Sequence, residues 1–395
     1  MGLSYIVDSA SNKSLFTFFS EFNKPWKESY ILENTVMGLM AMVSISGNVL
    51  VISFFVRYKA IRQVTNLFIT NLALSDLIFT LMVPLVMVTR VTGVWVFGEV
   101  LCRLLTAVEF VCGIVSVWTM VLISVDRYQA IVSLQRHRST LNMTLLRLLL
   151  VWIGAAIFIL PLVLYFRTTD SIIEDNHTGL RRNVTVCTFD FPGPLYLPLI
   201  YSCINIVVVF IIPMSIITRN YRAIMRKFSM SLKRMREHMV AAPRTDRSSL
   251  NSSANVQREA RVMRMLITMV TVFVLMWGPV TMTIIALMAD YDRNGMESYQ
   301  ITAVFIVTYA NAAVNPVVYG ILNVQYRKRF ARLFCKSQCQ EVTASNSSVG
   351  GGGGSIHRQV IRTLSGKVRN RTSFENRNAC HENPMNNICE AETPS

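Results

Sequence analysis

CRLLTAVEFVCGIVSVWTMVLISVDRY, residues Cys102 to Tyr128, is the stretch of sequence that decides the fold. As a helix it is long and apolar enough to cross the roughly 30 Å hydrocarbon core of a bilayer. A lone carboxylate, Glu109, interrupts the apolar run, and an acid and a base, Asp126 and Arg127, stand next to each other near its end. These charges suit a helix that links a ligand on one side of a membrane to a partner on the other.

The composition of the whole chain is that of a membrane protein. Of its 395 residues, 52% are hydrophobic and 16% are charged, whereas a soluble domain carries about 25% charged residues. The formal charge is +16, but Lys and Arg flank the apolar segments instead of forming one basic stripe, so we expect no nucleic-acid partner. All five histidines lie in loops or in the tail, which disfavours an enzyme with a metal or a base inside the membrane.

Seven apolar segments reach the length of about 20 residues that a transmembrane helix needs. The sequence therefore predicts an all-α membrane protein, a seven-transmembrane helix bundle. Its halves show no repeat of the kind found in many transporters. The predicted spans are roughly residues 35–56, 66–89, 104–125, 148–166, 195–218, 265–289 and 300–322.

Polar segments flank the predicted bundle. Residues 1–34 are expected to form an extracellular N-terminal segment, and residues 335–395, rich in Gly, Ser and Thr, a disordered cytoplasmic tail. The domain between them, residues 35–334, ends in a short amphipathic cytoplasmic helix with apolar side chains on one side and basic ones on the other. Cys335 and Cys339 follow this helix, either as palmitoylation sites or as plain cytosolic cysteines.

Charged loops and sequons give the orientation. The loops after the first, third and fifth spans, and the segment after the seventh, are rich in Lys and Arg. By the positive-inside rule these faces are cytoplasmic, so we expect a multi-pass protein of the plasma membrane with its N-terminus outside. Three N-x-S/T sequons on the outer side are candidate glycosylation sites: Asn12, Asn176 and Asn183.

The eight cysteines predict one disulfide. Only Cys102, at the outer end of the third span, and Cys187, in the loop between the fourth and fifth spans, lie on the oxidising side of the membrane. A bond between them would hold that loop across the outer opening of the bundle.

Polar residues inside apolar spans are costly, so each of them indicates a structural or functional role. Five such residues are found in the first, second, third and seventh predicted spans: Asn48, Asp76, Ser116, Asn311 and Asn315. They predict either a water-filled structural network or a cation-binding core with two states.

The inner end of the third span carries a candidate switch. Arg127 keeps its proton in proteins, so burying it requires a partner. Asp126 is adjacent, and Glu259 precedes the sixth span. An ion pair between the third and sixth spans that opens when the sixth swings outward would form a two-state element. The alternative is a basic residue that anchors the helix at the headgroups.

Motifs in the order of the spans carry a family resemblance. They are GNVLV (Gly47 to Val51), NLALSD (Asn71 to Asp76), Cys102 with Cys187, DRY (Asp126 to Tyr128), Trp152, Pro213 with Tyr221, FVLMWGP (Phe273 to Pro279) and NPVVY (Asn315 to Tyr319). In this order the chain resembles the rhodopsin-like (class A) G-protein-coupled receptors. The resemblance covers about residues 35–335.

The resemblance implies a heterotrimeric G protein as the cytoplasmic partner, with arrestin and receptor kinases acting on the tail. It also implies that Trp277 senses the ligand at the pocket floor, and that Na⁺ is an allosteric ion bound by Asp76, Ser116, Asn311 and Asn315. The residues to which it assigns coupling and switching are Asp126, Arg127, Tyr128, Tyr221, Glu259, Asn315, Pro316 and Tyr319.

The seventh span and the outer end of the second give expectations about the ligand. No lysine lies between residues 300 and 322, and Tyr309 stands where a retinal-binding opsin needs a lysine. We therefore do not expect the protein to bind retinal. PLVMVTRVTGVW (Pro84 to Trp95) resembles the long-chain free fatty acid receptors, which implies that Arg90 binds the carboxylate of a lipid acid with Trp95 nearby. The acyl chain would then lie among three aromatic side chains, those of Phe110, Trp277 and Phe305.

Glu109 departs from the fatty-acid pattern, because the matching position in those receptors is uncharged. It could neutralise Arg90 inside the protein, or it could bind a cationic amine or peptide. Asn205 and Val209 stand where a catecholamine site would have paired hydroxyls. A lipid-acid receptor and a peptide or amine receptor that uses Glu109 as counter-ion both remain open.

Overall fold

A computed structural model gives the architecture of the protein. It describes residues 5–8, 13–16, 28–58, 62–133, 140–174, 181–189, 196–241, 247–289 and 298–322. All of these belong to one compact unit, Met1–Leu322. The predicted amphipathic helix and the tail fall in Asn323–Ser395 and lie outside the described residues, as do the sequons at Asn12 and Asn176.

The described chain is mainly helical. Six helical segments are long and apolar enough to cross a membrane, and the apolar part of the last helix, Thr302–Val318, is shorter. The α-helices are α1 (Ser29–Arg57), α2 (Val64–Thr80), α3 (Val83–Thr92), α4 (Gly98–Ile131), α5 (Leu141–Leu164), α6 (Tyr196–Ile206), α7 (Ile212–Ala241), α8 (Arg247–Ala289) and α9 (Ser298–Leu322). A π-helical turn, Val207–Ile211, joins α6 to α7 in the fifth span.

The second span is divided into α2 and α3, where the sequence predicted a single segment. Pro84 stands in the first turn of α3, and because proline lacks an N–H, it starts a helix more readily than it continues one. Helix α3 ends at Gly93, whose φ of 74° is left-handed and easily adopted only by glycine. These two breaks set the position of Arg90 in the last turn of α3.

Helix α4, which contains the whole stretch from Cys102 to Tyr128, lies at the centre of the bundle. In the most apolar 18-residue segment of α4, 67% of the residues are buried, whereas in the most apolar 18-residue segment of α5 only 17% are buried. The apolar side chains that α5 leaves exposed suit contact with lipid. Helices α1 and α9 approach each other closely at Gly47. A Cβ at this position would lie 2.6 Å from Cγ of Pro316, so the contact requires glycine.

Two antiparallel hairpins occur among the described residues, and neither was predicted. The first pairs β1 (Tyr5–Asp8) with β2 (Lys13–Phe16), and the second pairs β3 (Phe166–Glu174) with β4 (Arg181–Phe189). The second hairpin is the loop between the fourth and fifth spans, with Thr168 opposite Cys187. The predicted disulfide between Cys102 and Cys187 is confirmed, and it fastens this hairpin to α4.

Candidate functional site

A cavity of about 330 Å³ lies in the half of the bundle that holds the Cys102–Cys187 disulfide, which is called the outer half here. Its lining comes from α2, α4, α5, the β3–β4 hairpin, α6 with its π-helical turn, α8 and α9. Aromatic side chains dominate this lining: Phe79, Phe110, Tyr165, Phe166, Phe189, Tyr201, Phe210, Trp277, Phe305 and Tyr309. The cavity is therefore suited to a ligand with a large apolar part.

One carboxylate interrupts the apolar lining. Among the described residues that line the cavity, Glu109 carries the only charged side chain. The Tyr309 hydroxyl donates a hydrogen bond of 2.6 Å to Glu109 Oε1, and both side chains are buried. The bond joins α4 to α9 and gives the cavity a polar point at which a donor or a cation of the ligand can bind.

The floor of the cavity is formed around Trp277. Its indole stacks on Phe273 at a centroid distance of 5.8 Å and lies 6.0 Å from the ring of Phe79. A Cβ on Gly113 would overlap the indole, so α4 can pass directly beside it only because residue 113 is glycine. Trp277 Nε1 is buried and has no hydrogen-bond partner among the described residues.

Seven residues were predicted to bind the ligand: Arg90, Trp95, Glu109, Phe110, Trp277, Phe305 and Tyr309, the last at the position of the retinal lysine. Five of them line this cavity, namely Glu109, Phe110, Trp277, Phe305 and Tyr309. Arg90 and Trp95 are not among the described lining residues. Trp95 is buried, donates from Nε1 to the carbonyl of Gly98 at 2.8 Å, and from its backbone N–H to the carbonyl of Thr185 at 2.7 Å. Trp95 thus ties the loop before α4 to the β3–β4 hairpin.

Arg90 forms a salt bridge that sequence reasoning missed. Its Nε and Nη2 both donate to Oε2 of Glu33 in α1, at 3.0 Å and 2.9 Å. The side chains are 3% and 13% exposed, respectively. The carboxylate that contacts Arg90 is that of Glu33, whereas the sequence offered Glu109 as one of two possibilities. The only indication of this partner in the sequence was that Glu33 is an acidic residue just before the predicted first span. Acidic residues at this position are also typical of the membrane interface.

The polar residues of the first, second, third and seventh spans form hydrogen bonds deep in the bundle. Asn315 Nδ2 donates to Asp76 Oδ2 at 2.9 Å, and the hydroxyls of Ser75 and Ser116 are 3.4 Å apart. Asn48 Nδ2 donates to the carbonyl of Ala312 in α9 at 3.1 Å. Three amide oxygens in this region are buried and have no partner among the described residues: Asn48 Oδ1, Asn311 Oδ1 and Asn315 Oδ1.

Arg127 contacts two side chains at the inner end of α4. Its Nη2 donates to Asp126 Oδ2 at 2.6 Å and to Oγ1 of Thr65, near the start of α2, at 2.5 Å. Thr65 was not predicted, since a threonine at a helix end carries no signal of its own. The side chains of Glu259 and Tyr319 lie outside the described residues, so the predicted pair between Arg127 and Glu259 remains a prediction.

Other predicted switch residues lie near this end of the bundle. Tyr221 in α7 is buried, and the next residue towards the N-terminus, Asn220, donates to the hydroxyl of Ser124 in α4 at 3.1 Å. Tyr128 is partly buried, and Pro316 packs close to Gly47. Helices α4, α7 and α9 therefore bring most of the described switch residues into the inner half of the bundle.

A family model described as 7 transmembrane receptor (rhodopsin family) matches residues 47–319. The chain belongs to this family. The predicted seven-helix fold is thereby confirmed, and the receptor is a membrane-embedded partner of G proteins in a signalling class without enzymatic activity.

Curated relatives agree on the family and differ in what their names say. Free fatty acid receptor 4 of Rattus norvegicus is 29% identical over 332 residues, which cover 82% of this chain and 87% of the relative. Opsin-1 of Manduca sexta is 30% identical over 344 residues, 85% of each chain. Neuropeptide Y receptor type 2 of Homo sapiens is 28% identical over 315 residues, 78% of this chain and 77% of the relative.

Proposed function

We propose that the receptor binds a long-chain fatty acid or a similar lipid acid and converts this binding into G-protein activation. The observation that carries the proposal is the cavity of about 330 Å³, whose lining is aromatic and aliphatic apart from Glu109 and a few neutral polar groups. Each buried methylene of an acyl chain contributes about 0.8 kcal/mol. The likeness to free fatty acid receptor 4 supports the same class of ligand.

The head group of a lipid acid needs a cation, and Arg90 is our candidate. Its guanidinium already contacts Glu33, so the ligand's carboxylate has to compete with that side chain. The acyl chain would extend from there into the cavity and keep the carboxylate away from Glu109, because two like charges at close range repel each other.

A cationic amine or a peptide is the second candidate, and Glu109 favours it. An ammonium group beside Glu109 would form a charge-assisted hydrogen bond in an apolar surrounding. The rings of Phe110 and Trp277, which also line the cavity, offer π-faces that attract cations.

A G-protein activation screen separates the two candidates. Saturated and unsaturated long-chain acids, amines and peptides are applied to the wild type, to Arg90→Ala and to Glu109→Gln. The first proposal predicts that long-chain acids activate the wild type and lose potency on Arg90→Ala. Silence of all long-chain acids on the wild type rejects it. Loss of an amine response in Glu109→Gln supports the second candidate.

We also propose Na⁺ as an allosteric ion beside Asp76. Hard cations prefer oxygen ligands, and the carboxylate of Asp76, the Ser116 hydroxyl and the unsatisfied amide oxygens of Asn311 and Asn315 supply them. Bound Na⁺ would add positive charge that stabilises the buried carboxylate. Agonist affinity measured in Na⁺ and in a large organic cation tests this, and Asp76→Asn should remove the difference.

The remaining proposals concern location and regulation. We place the receptor in the plasma membrane with its N-terminus outside, which a tag at either end tests by antibody access to intact cells. Asn183 is exposed on β4, so it is accessible to glycosylation; Asn12 and Asn176 are the other candidate sites. Arrestin and receptor kinases are proposed partners of the tail, to be tested by recruitment to a receptor that ends after residue 334.

A further inference from the structure

Helices α5 and α6 line one side of the cavity. Among the described lining residues, Pro161 of α5 is the one whose side chain is classed as exposed. Across from it, α6 contributes Tyr201, Ser202 and Asn205 to the lining. The exposure of a lining residue indicates an opening at this point, within helices that span the membrane.

The surface on both sides of this opening is apolar. On α5, Leu160 and Leu164 are exposed, and on α6, Ile200 and Ile204 are exposed. Pro161 also lacks the N–H that would bond to the carbonyl of residue 157, so the backbone of α5 is free to bend at this level. The opening therefore faces the hydrocarbon of the outer half of the bilayer rather than water.

A polar contact between described residues of α5 and α6 lies beside the opening. The Tyr201 hydroxyl donates to the carbonyl of Phe158 at 3.0 Å, and the two rings stack at a centroid distance of 5.8 Å. A single hydrogen bond contributes little net stability, so separating the two helices here costs little.

The outer end of the cavity is held more firmly. Phe166 and Phe189 of the β3–β4 hairpin line it, with their ring centroids 5.5 Å apart. Arg103 Nε donates to the carbonyl of Phe166 at 2.9 Å, and the disulfide ties β4 to α4. Movement of this hairpin has to break several contacts, whereas movement at Tyr201 breaks one hydrogen bond and one ring stack.

We propose that the ligand enters laterally from the outer leaflet of the membrane, between α5 and α6, past Pro161 and Tyr201. The inference rests on the lipophilic ligand of the proposed function. An acyl chain partitions into the bilayer before it meets the receptor, and the opening lies where such a chain would be found. The hydroxyl of Ser202 and the amide of Asn205 give its polar head partners on the way in.

Photolabelling with a diazirine-bearing palmitic acid tests this route. The receptor is placed in phosphatidylcholine nanodiscs, the probe is added to the lipid, and labelled peptides are mapped by mass spectrometry after short and long times. Label is expected in the cavity, on segments that contain Phe110, Trp277 or Phe305. The early rate of this labelling is the quantity to be compared between variants.

Leu164→Trp places a large ring at the rim of the opening, and Leu150→Trp is the matched control on the same helix. The two leucines are 57% and 58% exposed, and neither lines the cavity. Leu164→Trp should slow labelling of the cavity about fivefold, through a higher entry barrier, and Leu150→Trp should leave it unchanged. Cavity labelling that is absent, or equally fast in both variants, overturns the lateral route.

A failure of the proposed function looks different. If long-chain acids label the cavity at a rate that depends on Leu164 but activate no G protein in the same nanodiscs, the route stands for an apolar chain and the ligand class is wrong. If the acids activate the G protein and the rate is the same in Leu164→Trp as in the wild type, the ligand class stands and the route is wrong.

Discussion

Glu33→Gln keeps the size of the side chain but removes the carboxylate that lies 2.9 Å from Nη2 of Arg90. Because only 3% of the Arg90 side chain is exposed, water cannot replace the lost negative charge. Breaking a buried ion pair by removing one partner costs about 3–5 kcal/mol. Glu33 is itself 13% exposed at the outer end of α1, so we expect the lower end of this range, about 3 kcal/mol.

Thermal unfolding of the purified receptor without ligand measures this loss. At about 2–4 °C per kcal/mol for a large domain, Glu33→Gln should lower Tm by roughly 6–12 °C. Glu99→Gln is the matched control, because Glu99 pairs with Arg103 on the surface, where the side chains are 50% and 38% exposed. An exposed pair contributes less than about 1 kcal/mol, so the control should lower Tm by only a few degrees at most.

The double variant Glu33→Gln with Arg90→Gln completes the test. It removes the buried cation together with the carboxylate that faces it, so its Tm should lie above that of Glu33→Gln. A Glu33→Gln receptor as stable as Glu99→Gln would refute the reasoning. So would a double variant whose loss is the sum of the two single losses, since additive losses mean that the two side chains do not interact.

Further variants test the inner end and the cavity floor. Thr65→Val removes the 2.5 Å hydrogen bond from Arg127. A hydrogen bond to a charged group contributes about 1.5 kcal/mol, so this variant should raise basal G-protein signalling roughly tenfold. Thr70→Val loses only a hydrogen bond to its own helix and should leave basal signalling unchanged. Glu259→Ala should also raise basal signalling, and unchanged activity would count against the pair with Arg127. Gly113→Ala should cost about 1–3 kcal/mol in thermal unfolding, because its Cβ overlaps Trp277. Gly154→Ala, with nothing within 4 Å, should be neutral or slightly stabilising.

The helices were predictable because each is marked by a local run of apolar residues. The disulfide was predictable because few cysteines lie on the oxidising side of the membrane. An apolar run of about 20 residues has few alternatives to a transmembrane helix, and orientation left only two cysteines on the oxidising side. The division of the second span was readable in principle from Pro84, but proline is also tolerated inside transmembrane helices. The β3–β4 hairpin was missed because its alternation of buried and exposed residues is short, with Val184 and Val186 buried on one face.

The sequence named Asp126 as a neighbour of Arg127, and the two form an ion pair, but it could not supply the partners of buried charges that lie far apart in the chain. Glu33 and Arg90 are 57 residues apart, and pairing at that distance depends on how α1 packs against α3. Thr65 and Arg127 are 62 residues apart and present the same difficulty. In addition, a threonine has many possible roles, so its presence does not indicate a partner for arginine. The list of charged residues therefore identified the groups that need partners, but it matched only the adjacent Asp126 and Arg127.

This matching changes what the receptor offers to a ligand. With Arg90 beside Glu109, the two charges would cancel within one site, and neither an acid nor an amine would be favoured. In the structure Arg90 pairs with Glu33, and Glu109 accepts a hydrogen bond from Tyr309. The two charges therefore have separate partners, a charged carboxylate for Arg90 and a neutral hydroxyl for Glu109. A lipid acid must displace a carboxylate to reach Arg90, whereas an amine would join a carboxylate whose described partner is a neutral hydroxyl. Selectivity should then depend on Glu33 as much as on Arg90, and Glu33→Gln should raise the potency of long-chain acids while it leaves that of amines unchanged.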